Sequence, residues 1–306
     1  MQTLRVAFET EIAKNLVFKG GTSLSKGWNL IKRFSEDIDL AIDREFFGFT
    51  GPLGKNQRDK LRKTAGAYVD EVFYPELKKR FEEYGWKNPN IELEAGEDSD
   101  RDRKINVYYP NVINAGGYIK PRVQIEIGCR SLREPFTTLK FTSLVDEAFP
   151  KEDFVQAPIN IPTVNPERTF LEKIFLLHEE FQRPKEKMRV DRLSRHLYDV
   201  VKLSKTEFAE IALSDQQLYE TIVEHRYSFT RIGGIDYNLH QPQTINPIPI
   251  AEVIDAWKAD YKTMIEQMIY EENPSSFEEV IEELNKLKSR INSLPWKFKT
   301  TFPAPN

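Results

Sequence analysis

The stretch FKGGTSLSKGWNLIKRFSEDIDLAI, residues 18–42, constrains the fold of this 306-residue chain more than any other part of it. "NLVF", residues 15–18, reads as a short strand leading into it, and Gly20-Gly21 then forces a turn that other groups can approach closely. Thr22 or Ser23 is placed to cap a helix in which Leu24, Trp28 and Ile31 share one apolar face. Lys26, Lys32 and Arg33 lie off that stripe. The strand that follows alternates Asp37 and Asp39 with Ile38, Leu40 and Ile42, so both carboxylates point to the same side of a sheet.

Further along, "KINVYYP" and "RVQIEIGCRS" read as two strands of a hairpin joined across "NVINAGGYIKP". In the second, Glu126 falls on the polar face opposite Val123, Ile125 and Ile127. Two aspartates on one strand and a glutamate on another suit magnesium, with manganese as the other candidate, because such ions take oxygen ligands and keep positions for phosphate oxygens. Gly20, Gly21, Thr22 and Ser23 would offer backbone N–H groups to a triphosphate, with Lys19 or Lys26 adding a point charge. Asp-x-Asp also occurs on solvated strands that bind nothing, and composition alone does not choose between the two. The order of strand, turn, helix and acidic strand favours the nucleotide reading, since loop and carboxylates end on one side.

The 40% apolar content supplies a core, and the net charge of −4 argues against a uniformly basic nucleic-acid binder. Cys129 is the single cysteine, which excludes an intramolecular disulfide and fits a reducing cytoplasm. No apolar run is long enough to cross a membrane, and the start of the chain does not read as a secretion signal. Residues 55–84 are helical in pattern, with Tyr68, Val72, Leu77 and Phe81 as expected core contacts. Residues 134–164 carry Pro135, Pro150, Pro158 and Pro162 and read as a mostly irregular crossing between two halves. Helices are expected over "NPERTFLEKIFLLHEEF", over "RLSRHLYDVVKL" and over 205–226, 250–270 and 276–292. The expected fold is α/β of the α+β type: residues 1–160 form a small mixed sheet flanked by helices, residues 161–306 a mainly helical domain, with an active-site cleft between them.

Residues 18–42 resemble the first motif of the AbiEii/AbiGii toxin family, within the DNA polymerase beta type nucleotidyltransferases. The 15 residues between Gly21 and Asp37 are similar to that family's spacing. "RTFLEKIFLLHE", "RLSRHLYDVVKL" and "HRYSFTRIGGIDYN" resemble its later motifs, so the likeness spans roughly residues 15–240. The family pattern also has an N-terminal Glu-Lys-Asp stretch that has no counterpart before Asn15. The resemblance implies a cytoplasmic enzyme of a bacterial abortive-infection or toxin-antitoxin system, transferring a nucleoside monophosphate from an NTP to an RNA acceptor such as the tRNA 3′ end. It also implies an antitoxin partner that acts without a stable complex. Lys173 would contact or stabilise phosphate, and Asp199 would be its partner or anchor. From the residues alone, Lys173 also reads as a lysine reaching out from a helix edge, and Asp199 as the i+4 partner of Arg195. Glu126 is the position where polymerase-like members carry the third carboxylate.

The stretch Arg183–Arg195 holds six Lys/Arg against two acidic residues and is a candidate footprint for RNA phosphates, or an ordinary solvated loop. His178 and His196 have no metal-ligand spacing with one another and read as structural or substrate-proximal. Phe34, Trp28 and Tyr198 are candidates to stack a base, with core packing favoured for Phe34 and Trp28. Two alternatives stand beside the RNA-modifying reading: transfer of the nucleotide to a protein, and a fold kept as a non-catalytic RNA-binding or interaction module.

Overall fold

The computed structural model describes residues 1–86, 90–94, 102–110, 120–129 and 135–305. Contacts group them into two compact units, Met1–Asn29 with Ser35–Asn165, and Leu30–Phe34 with Pro166–Asn306. Residues 30–34 thus cluster with the second unit although they precede the acidic strand in sequence.

The first unit is built on seven strands: β1 (Leu16–Lys19), β2 (Asp37–Ile42), β3 (Ile91–Leu93), β4 (Arg103–Tyr108), β5 (Arg122–Gly128), β6 (Phe136–Phe141) and β7 (Ile159–Val164). They form one mixed sheet in the order β3-β4-β5-β2-β1-β7-β6. β2 runs parallel to β5, and β1 parallel to β7; the other pairs are antiparallel. Alternation along β2 and β5 buries Ile38, Leu40, Ile125 and Ile127 on one face, each contributing roughly 1.5–3 kcal/mol. Five helices accompany the sheet: α1 (Gln2–Ala7), α2 (Gly20–Lys26), α3 (Lys55–Tyr68), α4 (Tyr74–Glu83) and α5 (Leu144–Ala148). β4 and β5 pair antiparallel as expected of a hairpin, whereas the Gly-Gly turn assigned to their connection lies outside the described residues.

Three expectations give way here. The helix starts at Gly20 itself, with Lys19 as its N-cap and no side-chain cap from Thr22 or Ser23, and it is short: Gly27 and Trp28 both donate to the Ser23 carbonyl, and Asn29 then takes a left-handed backbone with φ of 53°. Trp28 and Ile31 therefore lie beyond α2, and Trp28 donates its indole N–H to the Val164 carbonyl. Between α3 and α4, Val69–Phe73 form a π-helical turn, whose extra residue shifts the buried stripe onto Val69 and Phe73 and leaves Val72 40% exposed. Tyr68 is only half-buried, while Leu77 and Phe81 are core as expected. The proline-bearing stretch carries two strands, β6 and β7, with α5 between them: Pro162 sits within β7 opposite Thr138, and β1 registers with β7 at Phe18 and Thr163.

The second unit holds α6 (Pro166–Glu180), α7 (Arg195–Ser204), α8 (Glu207–Ser214), α9 (Gln216–Phe229), α10 (Ile254–Met268) and α11 (Phe277–Asn292). The single helix expected over 205–226 is two, α8 and α9, divided at Asp215, whose carboxylate caps α9 by accepting from Leu218 N. α6 packs on α7, α8 and α9, and is buried nearly all round, from Phe170, Leu171, Ile174 and Phe175 to Lys173, His178, Glu179 and Glu180. Polar groups in such a helix need partners inside the protein. Glu179 pairs with Arg226 and His240, the His178 ring accepts from Asn246 N at 3.0 Å, and Glu180 takes Arg189. The tail docks through Phe298, whose N–H and carbonyl both bond Gln241, and through Trp296 against Tyr219.

Candidate active site

Register brings the acidic positions of the first unit together. Asp39 lies opposite Glu126 and Asp37 opposite Gln124 in the parallel β2–β5 pair, so the three carboxylate-bearing positions share one sheet face, on strands about 4.8 Å apart. Lys19 faces Asp39 from β1, and Lys104 faces Glu126 from β4. The turn closes on this face: Gly20 has φ of 79°, and a Cβ there would stand 1.8 Å from the Asp39 carboxylate. A side chain at position 20 and an acidic one at position 39 are therefore mutually exclusive without rearrangement. The Thr22 hydroxyl donates to the Asp37 carbonyl and the Ser23 hydroxyl to the Gly20 carbonyl at 2.8 Å, which ties the turn to the acidic strand. Those hydroxyls brace the loop. What remains for an anion is the backbone, since the first four N–H groups of any helix lack intrahelical partners. Lys26, in the last turn of α2, is half-buried; burial lowers its pKa, and Glu147 of α5 opposes that shift.

Among the described residues no three acidic, histidine or cysteine side chains are already drawn to a common point. Glu126 instead holds Lys104 at 2.7 Å. Burial alone would lower the Lys104 pKa, but the Glu126 carboxylate, with Glu94 and Asp37 adding to it, leaves it raised. Lys104 was not singled out in the sequence, although its alternation with Ile105 in "KINVYYP" puts it on the polar face. The donor set still fits a hard cation: three carboxylate positions in register, beside a turn whose missing Cβ makes room for one of them. A cavity of about 280 Å³ in this unit lies at the opposite end of β1 and β2, lined by Leu16, Val17, Ile42 and Phe46, away from these groups.

In the second unit Lys173 of α6 and Asp199 of α7 meet, with Lys173 Nζ at 2.8 Å from Asp199 Oδ2. Asp199 is not a surface partner for Arg195: it is fully buried, and Arg33 grips it through two bonds, Nε–Oδ1 at 2.7 Å and Nη2–Oδ2 at 2.8 Å. Burial would raise the Asp199 pKa, but the two cations hold it far below the usual carboxylate range. Lys173 is lowered by burial, against the pull of Asp199. His196 places Nδ1 at 3.3 Å from Lys173 Nζ; burial and the neighbouring cations keep its ring neutral, so it accepts. In the sequence Arg33 stands out only as a cation off the helix stripe, because nothing in a linear pattern links it to a helix some 160 residues later.

Tyr198 is buried and donates to Glu271, so no face of its ring is offered to a base. Phe34, expected in the core, is 43% exposed, since the chain around it runs as a bridge paired to residues 268–270 rather than as a helix. In the basic stretch, Arg183 and Arg189 are engaged by Glu180, while Lys185 and Lys187 are exposed on a 3₁₀ turn.

MenT4, a nucleotidyltransferase toxin from Mycobacterium tuberculosis H37Rv, has a similar structure, with a TM-score of 0.52 and 16% identity over 95% of this chain and 81% of its own. JHP933 from Helicobacter pylori aligns over 95% of this chain and 89% of its own at 16% identity, with a TM-score of 0.41. At that identity the likeness to MenT4 speaks for the fold, which is that of a nucleotidyltransferase toxin. No curated protein matches the chain. The sequence profile of the nucleotidyl transferase AbiEii toxin of type IV toxin-antitoxin systems matches residues 4–283, and the chain belongs to that family. It is therefore a nucleotidyltransferase, a toxin whose system includes an antitoxin. Among the described residues no helix is long and apolar enough to cross a membrane.

Proposed function

We propose that the chain transfers a nucleoside monophosphate from an NTP to a hydroxyl of an RNA acceptor, the 3′ end of a tRNA, in a magnesium-dependent reaction. The observation that carries this reading is the register that sets Asp39 beside Glu126 and Asp37 beside Gln124, directly under the Gly20 turn. Asp37, Asp39 and Glu126 would hold magnesium, or manganese in its place, and the bound ion would neutralise triphosphate charge and align the reacting oxygens. Backbone N–H groups of Gly20, Gly21, Thr22 and Ser23, with Lys19 and Lys26, would hold the triphosphate. The acceptor oxygen attacks the α-phosphorus, its proton passes to a carboxylate of the acidic set, and the bond to the β-phosphate breaks to release pyrophosphate. Lys173, anchored by Asp199, would offset the charge that builds on the phosphoryl oxygens. The exposed Lys185 and Lys187 are a candidate contact for RNA phosphates.

The test incubates purified protein with each labelled NTP, magnesium and total tRNA. Label in the RNA is the expected result. Label in protein supports protein nucleotidylation instead, and no labelled product with any divalent metal favours a non-catalytic binding module. Asp39→Ala is expected to abolish labelling, and a variant that labels as well as the parent contradicts the metal assignment.

A further inference from the structure

We propose that Phe34 and Tyr270 form a stacking platform for an unpaired base at the end of the acceptor RNA, with Lys32 beside them to meet a phosphate of that strand. The inference rests on the reading of an RNA acceptor and adds where its end is held.

The platform follows from one short pairing. Arg33 and Ile269 form an antiparallel bridge, in which Phe34 N donates to the Met268 carbonyl at 2.7 Å and Tyr270 N to the Lys32 carbonyl at 3.1 Å. Side chains alternate across such a pairing, so Arg33 turns inward to Asp199 while Lys32, Phe34 and Tyr270 share the outward side. Phe34 is 43% exposed and Tyr270 54%. Two large rings open to water on one side of the chain are unfavourable unless something covers them. Diagonal neighbours on one face of paired strands stand about 7–8 Å apart. That is about twice the roughly 3.4 Å rise between successive bases of a strand, so the spacing admits one flat base between the two rings.

Backbone bonds hold this pair in place. Lys32 N donates to the Tyr198 hydroxyl at 3.1 Å, and the Phe34 carbonyl accepts from Arg33 Nη1 at 3.1 Å, with the rest of the guanidinium fixed on Asp199. A platform held in this way loses little freedom when a base arrives. Every base has a π-face, so aromatic rings beside a cation bind single-stranded nucleic acid with little regard to sequence. Lys32 is exposed and stands opposite Tyr270 in the pairing, placed for a phosphodiester next to the stacked base. Asp37 follows Phe34 by three residues, so the chain alone limits their Cα separation to about 11 Å. A base on Phe34 therefore belongs to the nucleotides next to the reacting end of the acceptor. The Gly20 turn supplies an anchor for the NTP, whereas the open rings suit a strand end.

The experiment measures the dissociation constants of labelled total tRNA and, separately, of each labelled NTP in magnesium, together with RNA labelling and the melting temperature, for the parent, Phe34→Ala, Phe34→Leu, Tyr270→Ala, Tyr270→Phe and Lys32→Ala. Each alanine variant is expected to weaken tRNA binding about tenfold, the scale of one lost base stack, and to leave NTP affinity within about twofold. Phe34→Leu keeps apolar bulk without a π-face and follows Phe34→Ala, whereas Tyr270→Phe keeps the ring and the parental affinity. Lys32→Ala lowers the slope of log affinity against log salt by about one. Unchanged tRNA affinity in both alanine variants overturns the inference, and so does parental affinity in Phe34→Leu, which makes the residue mere packing. NTP affinity that falls while tRNA affinity holds also overturns it, since the platform then serves the nucleotide. Should Phe34→Ala fail to fold, the more exposed Tyr270 decides through its alanine variant. A parent that labels tRNA beside alanine variants that bind it equally sinks the platform alone, whereas a parent that neither binds nor labels tRNA sinks the RNA acceptor and the platform with it.

Discussion

Gly20 carries two constraints at once, a left-handed φ of 79° and a Cβ position occupied by the Asp39 carboxylate. Gly20→Ala must therefore either push Asp39 off the sheet face or move the turn, and misplacing a reacting group by about 1 Å costs on the order of a hundredfold in rate. Labelled-NTP turnover of Gly20→Ala is expected to fall by at least about that factor, and a variant within threefold of the parent contradicts the close packing of turn and acidic strand. That Asp37, Asp39 and Glu126 share one sheet face beside Gly20 was legible in the sequence, because a Gly-Gly pair and period-two alternation are local signals. Lys104 was within reach of the same alternation, whereas Arg33 was not. Its meaning depends on Asp199, and pairing across that separation leaves no periodic trace.

At the scale of elements, α6 shows how a nearly all-buried helix tolerates ionisable groups. Burial would raise the Glu179 carboxyl, but Arg226 and then His240 hold it down at about 2. Burial, with His240 adding to it, lowers His178 to about 3, and its ring accepts from Asn246 while neutral. Both folded-state values lie below the unfolded ones, so both groups stabilise the fold at neutral pH and withdraw that support as pH falls. His178 acts first: between pH 7 and pH 5 the unfolded chain takes up a proton the folded one refuses, costing roughly 2 kcal/mol. Glu179 adds its loss as pH drops from about 4.5 toward 2. Urea denaturation followed by tryptophan fluorescence is expected to show stability falling from pH 7 to pH 5, with His178→Gln flattening that slope by about one proton. An unchanged slope contradicts the buried neutral histidine. The existence of α6 and α7 was legible from an Asn-Pro start and dense apolar spacing. The strands β6 and β7 were not, because Pro162 within a strand reads as a breaker unless its neighbours' pairing is known. The π-helical turn at Val69–Phe73 likewise shifts a face that a strict 3.6-residue period assigns to Val72.

At the scale of the whole molecule, membership in a nucleotidyltransferase toxin family makes growth the coarse readout. Expression of the chain in bacteria without its antitoxin is expected to arrest growth, and Asp39→Ala to relieve the arrest at equal protein level. Arrest that persists in Asp39→Ala points to harm unrelated to nucleotide transfer. The class of enzyme was legible because its first motif packs turn, helix and carboxylates into one run of residues. The acceptor was not, because contacts to a charged acceptor would have no fixed spacing in sequence; in the Arg183–Arg195 stretch two of the arginines are engaged by Glu180. The most direct measurement of the central claim is therefore transfer itself: each α-labelled NTP, magnesium, total tRNA and purified protein, resolved on a denaturing gel. The account predicts label on tRNA that disappears in Asp39→Ala, and label that stays off RNA for every NTP and metal contradicts it.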